Sequence, residues 1–216
     1  GDPQHYDLVS AVSFQILILL GLRETHSVLD IGCGSLRNAR LLIPYLNAGN
    51  YFGVEPEQWL VDEGIRNETG SSQINVKRPT FSFRSDLNEF PKEQKFDYLF
   101  LQSIFSHSGP DVLTTWLGQL VSRMHTDSLM VGTYYKQSQD GSQTGWVYPG
   151  LVPYRQETFA GFFEPRNIFF NEIVWPHPRQ QWFVASRSKV DVEQLSIVGK
   201  LIAESVNGRW HRRKKS

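Results

Sequence analysis

The sequence predicts one α/β domain with a mostly parallel β-sheet that is covered by helices on both faces. Short apolar runs of strand length alternate with longer runs whose apolar residues recur at helical spacing. The run at 96–101 is apolar at nearly every position, as expected for a strand that is buried on both faces. This alternation is typical of folds built from successive strand–helix–strand units.

Length and composition agree with a single folded unit. The 216 residues are 40% apolar and 13% aromatic, which is typical of a globular protein rather than a disordered one. A chain of this length fills one core well and is short for two. We therefore expect one domain over 1–216, made of an N-terminal helix in 1–24, a core in 25–188, and a C-terminal helix with a basic tail in 189–216.

The first half of the chain alternates helix and strand. Apolar residues at helical spacing predict a helix over 8–20 that ends near Gly21. A β-branched run that stops at Gly32 predicts the first strand at 27–31. The next elements are predicted as a helix at 36–46 that Pro44 bends or ends, a strand at 51–54, and a helix at 57–67.

The second half begins with the same rhythm and then departs from it. Strands are predicted at 80–83, 96–101 and 129–135, and a helix at 111–124 with Asp111 as its N-cap. Residues 136–154 form a loop rich in Gly, Ser and Gln. Two late strands, at 167–175 and 181–187, are joined by the turn Pro176-His177-Pro178, and an amphipathic helix that includes Val192 and Ile202 follows.

The charge distribution disfavours a nucleic-acid platform. Lys plus Arg equals Asp plus Glu at 22 each, but five of the basic residues lie in the last eight positions. Residues 1–208 therefore hold 17 basic and 22 acidic residues, a formal charge of −5. A protein that binds nucleic-acid phosphates needs a basic surface instead. We interpret the tail as a solvated terminus and expect no nucleic-acid partner.

Cysteine and histidine usage predicts neither a disulfide nor a metal site. Cys33 is the only cysteine, so no intrachain disulfide can form, and the six histidines are scattered without ligand spacing. The apolar run at 16–20 is too short to span a bilayer, and no signal-peptide pattern precedes it. We expect a soluble, cytoplasmic protein without a metal or a membrane partner. Its oligomeric state, monomer or homodimer, stays open.

The most informative segment is Val-Leu-Asp-Ile-Gly-Cys-Gly-Ser at 28–35, where a strand runs into two glycines and then a helix. Glycine allows the backbone to turn sharply and lets a ligand approach the main chain. A dinucleotide-binding turn would need a third glycine where this chain has Arg37. In addition, Asp30 before the turn would repel a pyrophosphate but suits a ligand that carries an ammonium group. The segment therefore favours a cationic ligand.

Three motifs resemble those of class I (Rossmann-like) S-adenosylmethionine-dependent methyltransferases. The segment at 28–34 resembles their first motif, and Gly53-Val54-Glu55-Pro56 resembles their second, an acid that ends the second strand. Ser85-Asp86-Leu87, followed by Phe96-Asp97, resembles the third. The resemblance covers roughly residues 25–135 and implies a mostly parallel seven-stranded sheet whose last strand is antiparallel. It also implies S-adenosylmethionine as cofactor and S-adenosylhomocysteine as product.

The resemblance assigns cofactor contacts residue by residue. Glu55 would accept hydrogen bonds from the two ribose hydroxyls, Asp86 would accept the adenine amino group, and the Leu87 N–H would face the ring. The remaining expected contacts are Asp30, Gly32, Cys33, Gly34, Arg37, Pro56 and Gln102. Arg37 departs from the small residues common after the second glycine. It could pair with the cofactor carboxylate or be an exposed residue of the first helical turn.

Simpler interpretations of these residues stay open. Asp30 could cap the turn that follows it, Glu55 could be an ordinary loop acid, and Asp86 could be a helix N-cap. Cys33 is expected to be a small packing residue without a reactive thiol environment.

The methyl acceptor is expected beside the exit of the fourth strand, where His107 is the candidate general base. A structural role for His107, bonded to the backbone, is the alternative. Tyr6 could act in a lid over the cofactor. The pocket walls are expected to come from the polar or aromatic residues Ser106, Tyr134, Tyr135, Trp146 and Tyr148, although some of these rings could lie in the core.

These features predict methyl transfer to a small molecule, at oxygen before nitrogen, in natural-product or glycan tailoring. An RNA or protein methyltransferase is the first alternative, which the acidic body and Gln102-Ser103-Ile104-Phe105, in place of an Asn/Asp-Pro-Pro-Tyr motif, disfavour. The second is a non-catalytic module that binds S-adenosylmethionine. A dehydrogenase is the least favoured.

Overall fold

The computed structural model describes residues 3–212, with side chains for residues 4–205. The predicted basic tail lies outside the residues whose side chains are described. Eight strands belong to one sheet: β1 (Val28–Ile31), β2 (Tyr51–Val54), β3 (Thr80–Ser82), β4 (Phe96–Leu101), β5 (Met124–Lys136), β6 (Pro153–Tyr154), β7 (Phe169–Ile173) and β8 (Gln181–Ser186).

The strands follow the order β3-β2-β1-β4-β5-β8-β7, and the short β6 pairs with β5 outside this path. From β3 to β5 every neighbouring pair is parallel, whereas β8 is antiparallel to both β5 and β7. The prediction of a mostly parallel seven-stranded sheet with an antiparallel last strand is confirmed. Because β1 to β5 are parallel, their carboxyl ends lie along one edge of the sheet, called here the carboxyl edge.

Seven α-helices connect and cover the strands: α1 (Tyr6–Leu19), α2 (Ala39–Tyr45), α3 (Gln58–Gly64), α4 (Ser71–Lys77), α5 (Pro110–Ser122), α6 (Gln156–Gly161) and α7 (Glu193–Arg212). A π-helical turn, Ile65–Thr69, continues α3. The sequence does not predict α4 or α6. Both are short, and α4 has only two apolar residues, too few for a helical repeat to be recognised.

The helix α5 begins differently from the prediction. Gly109 is its N-cap and Pro110 its first residue, so the prediction of Asp111 as the cap is wrong. The Asp111 carboxylate instead accepts the N–H of Gly145, at 2.9 and 3.2 Å from its two oxygens. A side chain expected to cap a helix therefore fastens the loop at 136–154.

Two apolar cores lie on opposite faces of the sheet. One contains residues of α1, α2 and α3, including Ile16 and Leu42, and the other residues of α5 and α6, including Leu117 and Phe159. Tyr134, predicted to line a pocket, is fully buried in the second core, where it stacks on Phe159 with ring centroids 4.0 Å apart. Tyr134 is a core residue because its ring points into the face that α6 covers.

The described residues lack two features. No helix among them is long and apolar enough to cross a membrane. No group of three or more His, Cys, Asp or Glu in the same part of the chain is arranged to hold a metal ion.

Candidate functional site

The glycine turn after β1 is fastened to the end of β2. The N–H groups of Gly32 and Cys33 both donate to the Val54 carbonyl, at 2.7 and 3.2 Å. Gly32 and Gly34 have φ angles of 69° and 51°, in the left-handed region that glycine adopts without steric cost. The turn therefore lies at the carboxyl edge, between the two strands whose motifs resemble the cofactor-binding ones.

Glu55, the residue after β2, reaches this turn. Its Oε2 accepts the N–H of Gly34 at 3.1 Å, and its Oε1 accepts the N–H of Glu57 at the same distance. Partial burial raises the pKa of Glu55 above its ordinary value. Each carboxylate oxygen has a further lone pair, so the group can still accept hydrogen bonds from a ligand. The structure thus brings together two predicted residues that lie 21 positions apart.

Asp30 is buried beneath the turn. Its Oδ2 accepts the hydroxyl of Tyr51 on β2 at 2.7 Å. Burial raises the pKa of Asp30 to about 7, against the opposing effects of the Tyr51 hydrogen bond and the Arg37 charge. A carboxyl with this pKa takes up negative charge readily when a cation comes near. Burial likewise raises the pKa of the Cys33 thiol, which is consistent with a packing residue.

Arg37 is half-buried and lies in the turn before α2. The interpretation of Arg37 as an exposed residue of the first helical turn is therefore wrong. Its Nη2 donates to Gln102 Oε1, at the exit of β4. The Arg37 carbonyl accepts the hydroxyl of Ser10 at 2.8 Å. In the described part of the chain no carboxylate forms an ion pair with this guanidinium. Arg37 is thus a cation held at the carboxyl edge without an ion-pair partner among the described residues.

Tyr6, the first residue of α1, lies between two arginines. The guanidinium carbons of Arg37 and Arg40 are 5.7 and 5.2 Å from its ring centroid. Arg40 also pairs with Asp7 at 2.6 Å and with Glu68 at 3.2 Å. These contacts hold the first turn of α1 against the glycine turn.

The space around the two glycines differs. A Cβ at Gly34 would meet only the Gly32 carbonyl oxygen, at 3.9 Å, so the Gly34 side is open. A Cβ at Gly32 would overlap the Cδ1 atom of Ile104, so this side chain covers Gly32. The Glu55 carboxylate, the Gly34 amide and the open space beside Gly34 fit the ribose of S-adenosylmethionine. A ligand that extends across Gly32 requires a new Ile104 rotamer.

The third predicted motif is engaged with protein groups. Asp86 accepts two hydrogen bonds from Arg84, both at 2.9 Å, and the N–H of Asn88 at 3.0 Å. The Arg84 hydrogen bond lowers the pKa of Asp86 to about 2. The N–H of Leu87, expected to face a ligand ring, instead donates to Gln119 of α5 at 2.9 Å. Contacts of Asp86 and Leu87 with a cofactor stay a prediction.

His107 is buried in the turn after β4, and its Nδ1 lies 2.5 Å from the Gly150 carbonyl oxygen. A carbonyl only accepts hydrogen bonds, so Nδ1 carries the proton and Nε2 of the neutral ring keeps a lone pair. Burial lowers the pKa of His107 below its ordinary value. The rings of Trp146 and Tyr148 approach it edge-on, with centroids 5.7 and 5.1 Å away.

Two further predicted pocket residues differ in accessibility. Ser106 is fully buried, and its hydroxyl has no hydrogen-bond partner among the described residues. Tyr135 is half-buried at the end of β5, opposite Pro153 of β6. Pro56 is exposed beside Glu55. Their roles stay predictions.

A polar cluster at the carboxyl edge was not predicted; its members are Gln102, Ser103, Thr133, His177 and Gln180. Thr133 Oγ1 accepts the N–H of Ser103 at 2.8 Å and donates to Gln180 Oε1 at 2.5 Å. Gln180 Nε2 and Gln102 Nε2 both donate to Ser103 Oγ, at 2.9 and 2.7 Å. His177 Nε2 lies 3.3 Å from Gln102 Nε2.

The register of β8 explains why this cluster forms. Gln181 pairs with Tyr134 at the end of β5, which places the turn between β7 and β8 at the carboxyl edge. The sequence predicts this turn only as the connection between the two late strands. The available signal was its polar content, His-Pro-Arg-Gln-Gln at 177–181 between two apolar strands. Its partners on β4 and β5 are too distant in sequence for that signal to locate them.

The fold is shared with solved structures, although no protein-family model matches the chain. Magnesium protoporphyrin IX methyltransferase (ChlM) from Synechocystis PCC 6803, with bound SAM, has a TM-score of 0.61 at 14% identity, over 86% of this chain and 80% of that one. DesVI from Streptomyces venezuelae has a TM-score of 0.62 at 13% identity, over 87% and 94%.

A third similar structure is ribosomal protein L11 methylase from Lactobacillus delbrueckii subsp. bulgaricus, with a TM-score of 0.58 at 12% identity, over 84% of this chain and 79% of that one. At such identities the similarity establishes the fold alone. The chain has the fold of class I methyltransferases, as its first two motifs predict.

Proposed function

We propose that this chain, which is built on the class I methyltransferase fold, transfers the methyl group of S-adenosylmethionine to a hydroxyl oxygen of a small molecule. One observation carries the proposal: the Glu55 carboxylate accepts the N–H of Gly34, and the space beside Gly34 is open. In this position it can accept hydrogen bonds from a ribose. The similar fold of ChlM, crystallised with SAM, supports the same ligand.

Charge on the chain's own residues suits the two ends of this cofactor. The buried Asp30 and the half-buried Glu55 would provide negative charge for the sulfonium and the ammonium groups of the cofactor. Arg37 has no carboxylate partner among the described residues and suits the single carboxylate of the cofactor. When bound, S-adenosylmethionine supplies an electrophilic methyl group with a neutral thioether as the leaving group.

The protein then has two tasks, alignment and proton removal. Holding the hydroxyl in line with the methyl group can supply roughly 7–11 kcal/mol of the barrier reduction. His107 accepts the hydroxyl proton at Nε2, because its Nδ1 proton is committed to the Gly150 carbonyl. With the cofactor held by Glu55, Asp30 and Arg37, the acceptor oxygen would bond to the methyl carbon as the bond from that carbon to sulfur breaks, and the hydroxyl proton would pass to His107 Nε2.

A small acceptor fits the charge of the body better than RNA does. Residues 1–208 have a formal charge of −5, whereas RNA is itself an anion. The fold does not discriminate between acceptors, because the L11 methylase and ChlM have similar folds. The proposal of a small hydroxyl acceptor therefore rests on His107 and on the acidic body.

Calorimetric titration with S-adenosylmethionine and S-adenosylhomocysteine tests the cofactor assignment. We expect both to bind, and Glu55→Gln to weaken binding by about tenfold or more, since a ribose hydrogen bond to a charged acceptor is lost. Glu63→Gln is the matched control, because Glu63 is exposed on α3 and pairs with Arg66. Absence of heat with both nucleosides, or equal affinities of the two variants, would contradict the proposal.

A further inference from the structure

The polar cluster contains only uncharged hydrogen-bonding groups. Its amides and hydroxyls both donate and accept, and no carboxylate of the described residues contacts it. His177 stays neutral, since burial lowers its pKa to about 3. Ser103, His177 and Gln180 are half-buried and can meet a ligand at the carboxyl edge, whereas Gln102 and Thr133 are buried behind them.

One member is held in a strained conformation. Ser103 has a φ of 63°, which costs a residue with a side chain on the order of 1–3 kcal/mol. The strain allows the Ser103 N–H to reach Thr133 while its hydroxyl meets two amides. Strain of this kind is retained where the surrounding structure positions a group for a ligand.

His177 makes the cluster rich in donors. Its Nδ1 accepts the N–H groups of Gln180 and Arg179, at 2.8 and 3.2 Å, so Nε2 carries the proton of the neutral ring. This N–H faces the Nε2 donor of Gln102, while Gln102 Oε1 is occupied by Arg37. The N–H groups at Nε2 of His177 and Nε2 of Gln102 thus point at each other and have too few protein acceptors. An oxygen atom of a ligand would accept hydrogen bonds from them.

Trp146 and Tyr148, in the loop at 136–154, form an exposed pair of aromatic rings, called here the aromatic pair. The two side chains are 53% and 62% exposed, which is unusual for rings this large on a well-ordered loop. The loop is fastened by the bond from the Val147 N–H to the His107 carbonyl at 2.9 Å and by the Asp111–Gly145 contact. The rings therefore present their faces to solvent in a fixed position.

One short segment of the chain connects the polar cluster to the aromatic pair. Gln102 and Ser103 begin, and His107 ends, one six-residue segment after β4. The Arg179 charge in the turn between β7 and β8 contributes to lowering the pKa of both His107 and His177, after burial. The turn therefore lies within electrostatic range of the segment whose last residue, His107, contacts the aromatic pair.

These two features select one kind of acceptor. Neutral amides and hydroxyls bind hydroxyl groups, and a site built for hydroxyls rejects analogues that lack them. The negative face of an aromatic ring attracts polarised C–H groups, and a flat apolar surface buries them. A simple phenol offers one hydroxyl to the donors of His177 and Gln102, whereas a pyranose offers several hydroxyls and a C–H face.

We propose that the methyl acceptor is a saccharide whose hydroxyls are bound by the polar cluster and whose C–H face stacks on the aromatic pair. The inference rests on the proposed function, because it names the substrate of that same site. The hydroxyl next to His107 Nε2 would receive the methyl group on its oxygen as the S–CH3 bond breaks and the neutral thioether leaves, and it would give its proton to the ring. In this arrangement Trp146, Tyr148 and Gln180 determine specificity and do not take part in bond making.

Titration with simple sugars tests the proposal on the intact chain. The probes are the methyl α-glycosides of glucose, mannose, galactose and rhamnose, with catechol as an aromatic control. All are titrated in the presence of S-adenosylhomocysteine, and methylated products formed from S-adenosylmethionine are identified by mass spectrometry. We expect at least one glycoside to bind with a Kd in the range of about 1–10 mM and to be methylated, whereas catechol does neither.

Variants connect the binding to the residues. Trp146→Ala and Gln180→Ala should each raise the glycoside KM about tenfold with little change in kcat, since both act on substrate binding. Trp59→Ala is the matched control, because Trp59 is similarly exposed but lies on α3. Trp146→Phe should restore much of the affinity, and because Trp146 is exposed we expect its variants to fold.

Two results would overturn the saccharide assignment while the cofactor proposal stands. The first is an absence of binding and methylation with all four glycosides in protein that binds S-adenosylhomocysteine. The second is glycoside binding that Trp146→Ala and Trp59→Ala alter equally. Failure to bind S-adenosylhomocysteine would instead reject the proposed function, and the two failures are therefore distinguishable.

Discussion

At the scale of single residues, backbone groups hold two histidines in opposite tautomers. His107 directs its Nδ1 at the Gly150 carbonyl and keeps a lone pair on Nε2. His177 uses Nδ1 to accept the Gln180 N–H and keeps its proton on Nε2. One ring can therefore accept a proton, while the other can only donate a hydrogen bond. Both roles follow from which backbone group each Nδ1 meets.

The buried Asp30 makes stability depend on pH. Its folded pKa of about 7 lies above the ordinary value of 3.8, so the folded state holds the proton more tightly than the unfolded state does. The resulting stability is present below the unfolded pKa and is lost as the pH rises through 7. We expect Asp30→Asn, which retains an acceptor for Tyr51, to be more stable than the parent at pH 8 by roughly 3 kcal/mol.

Urea unfolding at pH 5 and pH 8 measures this effect. The difference in free energy of unfolding between the two variants should shrink markedly at pH 5, where Asp30 is largely protonated. S-adenosylmethionine should bind the Asn variant more weakly, since a negative charge near the cofactor is lost. If the free energies of unfolding of the parent and of Asp30→Asn changed in parallel with pH, Asp30 would ionise at its ordinary pKa.

The lowered pKa of His107 predicts where activity rises on the acid side of its pH profile. Burial lowers its pKa, so the base stays unprotonated to lower pH than an ordinary histidine with a pKa of 6.5. The midpoint of the rise in kcat/KM should therefore lie below pH 6.5. His107→Asn retains a donor for the Gly150 carbonyl and should lower kcat by about 10²–10⁴-fold. Unchanged S-adenosylhomocysteine affinity controls for misfolding, and an undiminished kcat would assign His107 a purely structural role.

At the scale of elements, the glycine turn depends on close packing against α3. Leu36 has a φ of 62° and is fully buried. Its side chain packs over Gly64, where an added Cβ would come within 2.6 Å of Leu36 Cγ and of the Ser35 backbone. The absence of a side chain at Gly64 therefore lets α3 support the turn that carries Gly34.

Gly64→Ala should separate α3 from the glycine turn. The Ser35 backbone has to shift, and we expect a loss of about 1–3 kcal/mol in the free energy of unfolding. Cofactor affinity should fall as well, because Ser35 is next to Gly34. Gly118→Ala is the matched control: the position lies inside α5, where an added Cβ meets nothing within 4 Å. That variant should gain about 0.5–1 kcal/mol, and equal losses in both would refute the packing argument.

At the scale of the whole molecule, the sheet order joins the site from distant parts of the chain. The central strands β1 and β4 are neighbours, so the glycine turn and the Gln102–His107 segment share the carboxyl edge. The antiparallel β8 returns the chain to that edge and adds His177 and Gln180. A ligand that contacts several of these segments stabilises the folded state as a unit.

Cofactor binding should therefore raise the melting temperature. At a concentration about 100 times its Kd, a ligand adds about 2.7 kcal/mol. For a domain of this size that corresponds to an increase in Tm of about 5–11 °C. Scanning calorimetry with S-adenosylmethionine measures the shift, and Glu55→Gln should show a smaller one at the same concentration. A shift with NAD but none with S-adenosylmethionine would favour a dehydrogenase.

Locally encoded features were predicted well. The bounds of β2 and β4 agree with the apolar runs at 51–54 and 96–101, because a buried parallel strand reads as a continuous apolar segment. The proximity of Gly34 and Glu55 also follows from sequence, since parallel neighbouring strands end at one edge. By contrast, α4 and α6 are too short or too polar to give a periodic signal.

By itself the sequence determined the fold class and the glycine turn with its flanking acids, since strand patterns and turn residues act over a few positions. Only the tertiary structure decided which polar groups meet the turn from elsewhere. It buried Arg37 against Gln102, placed Tyr134 in the core and brought His177 to Gln102 across 75 residues. Such contacts depend on how β8 and its preceding turn return to the carboxyl edge, which no local pattern specifies.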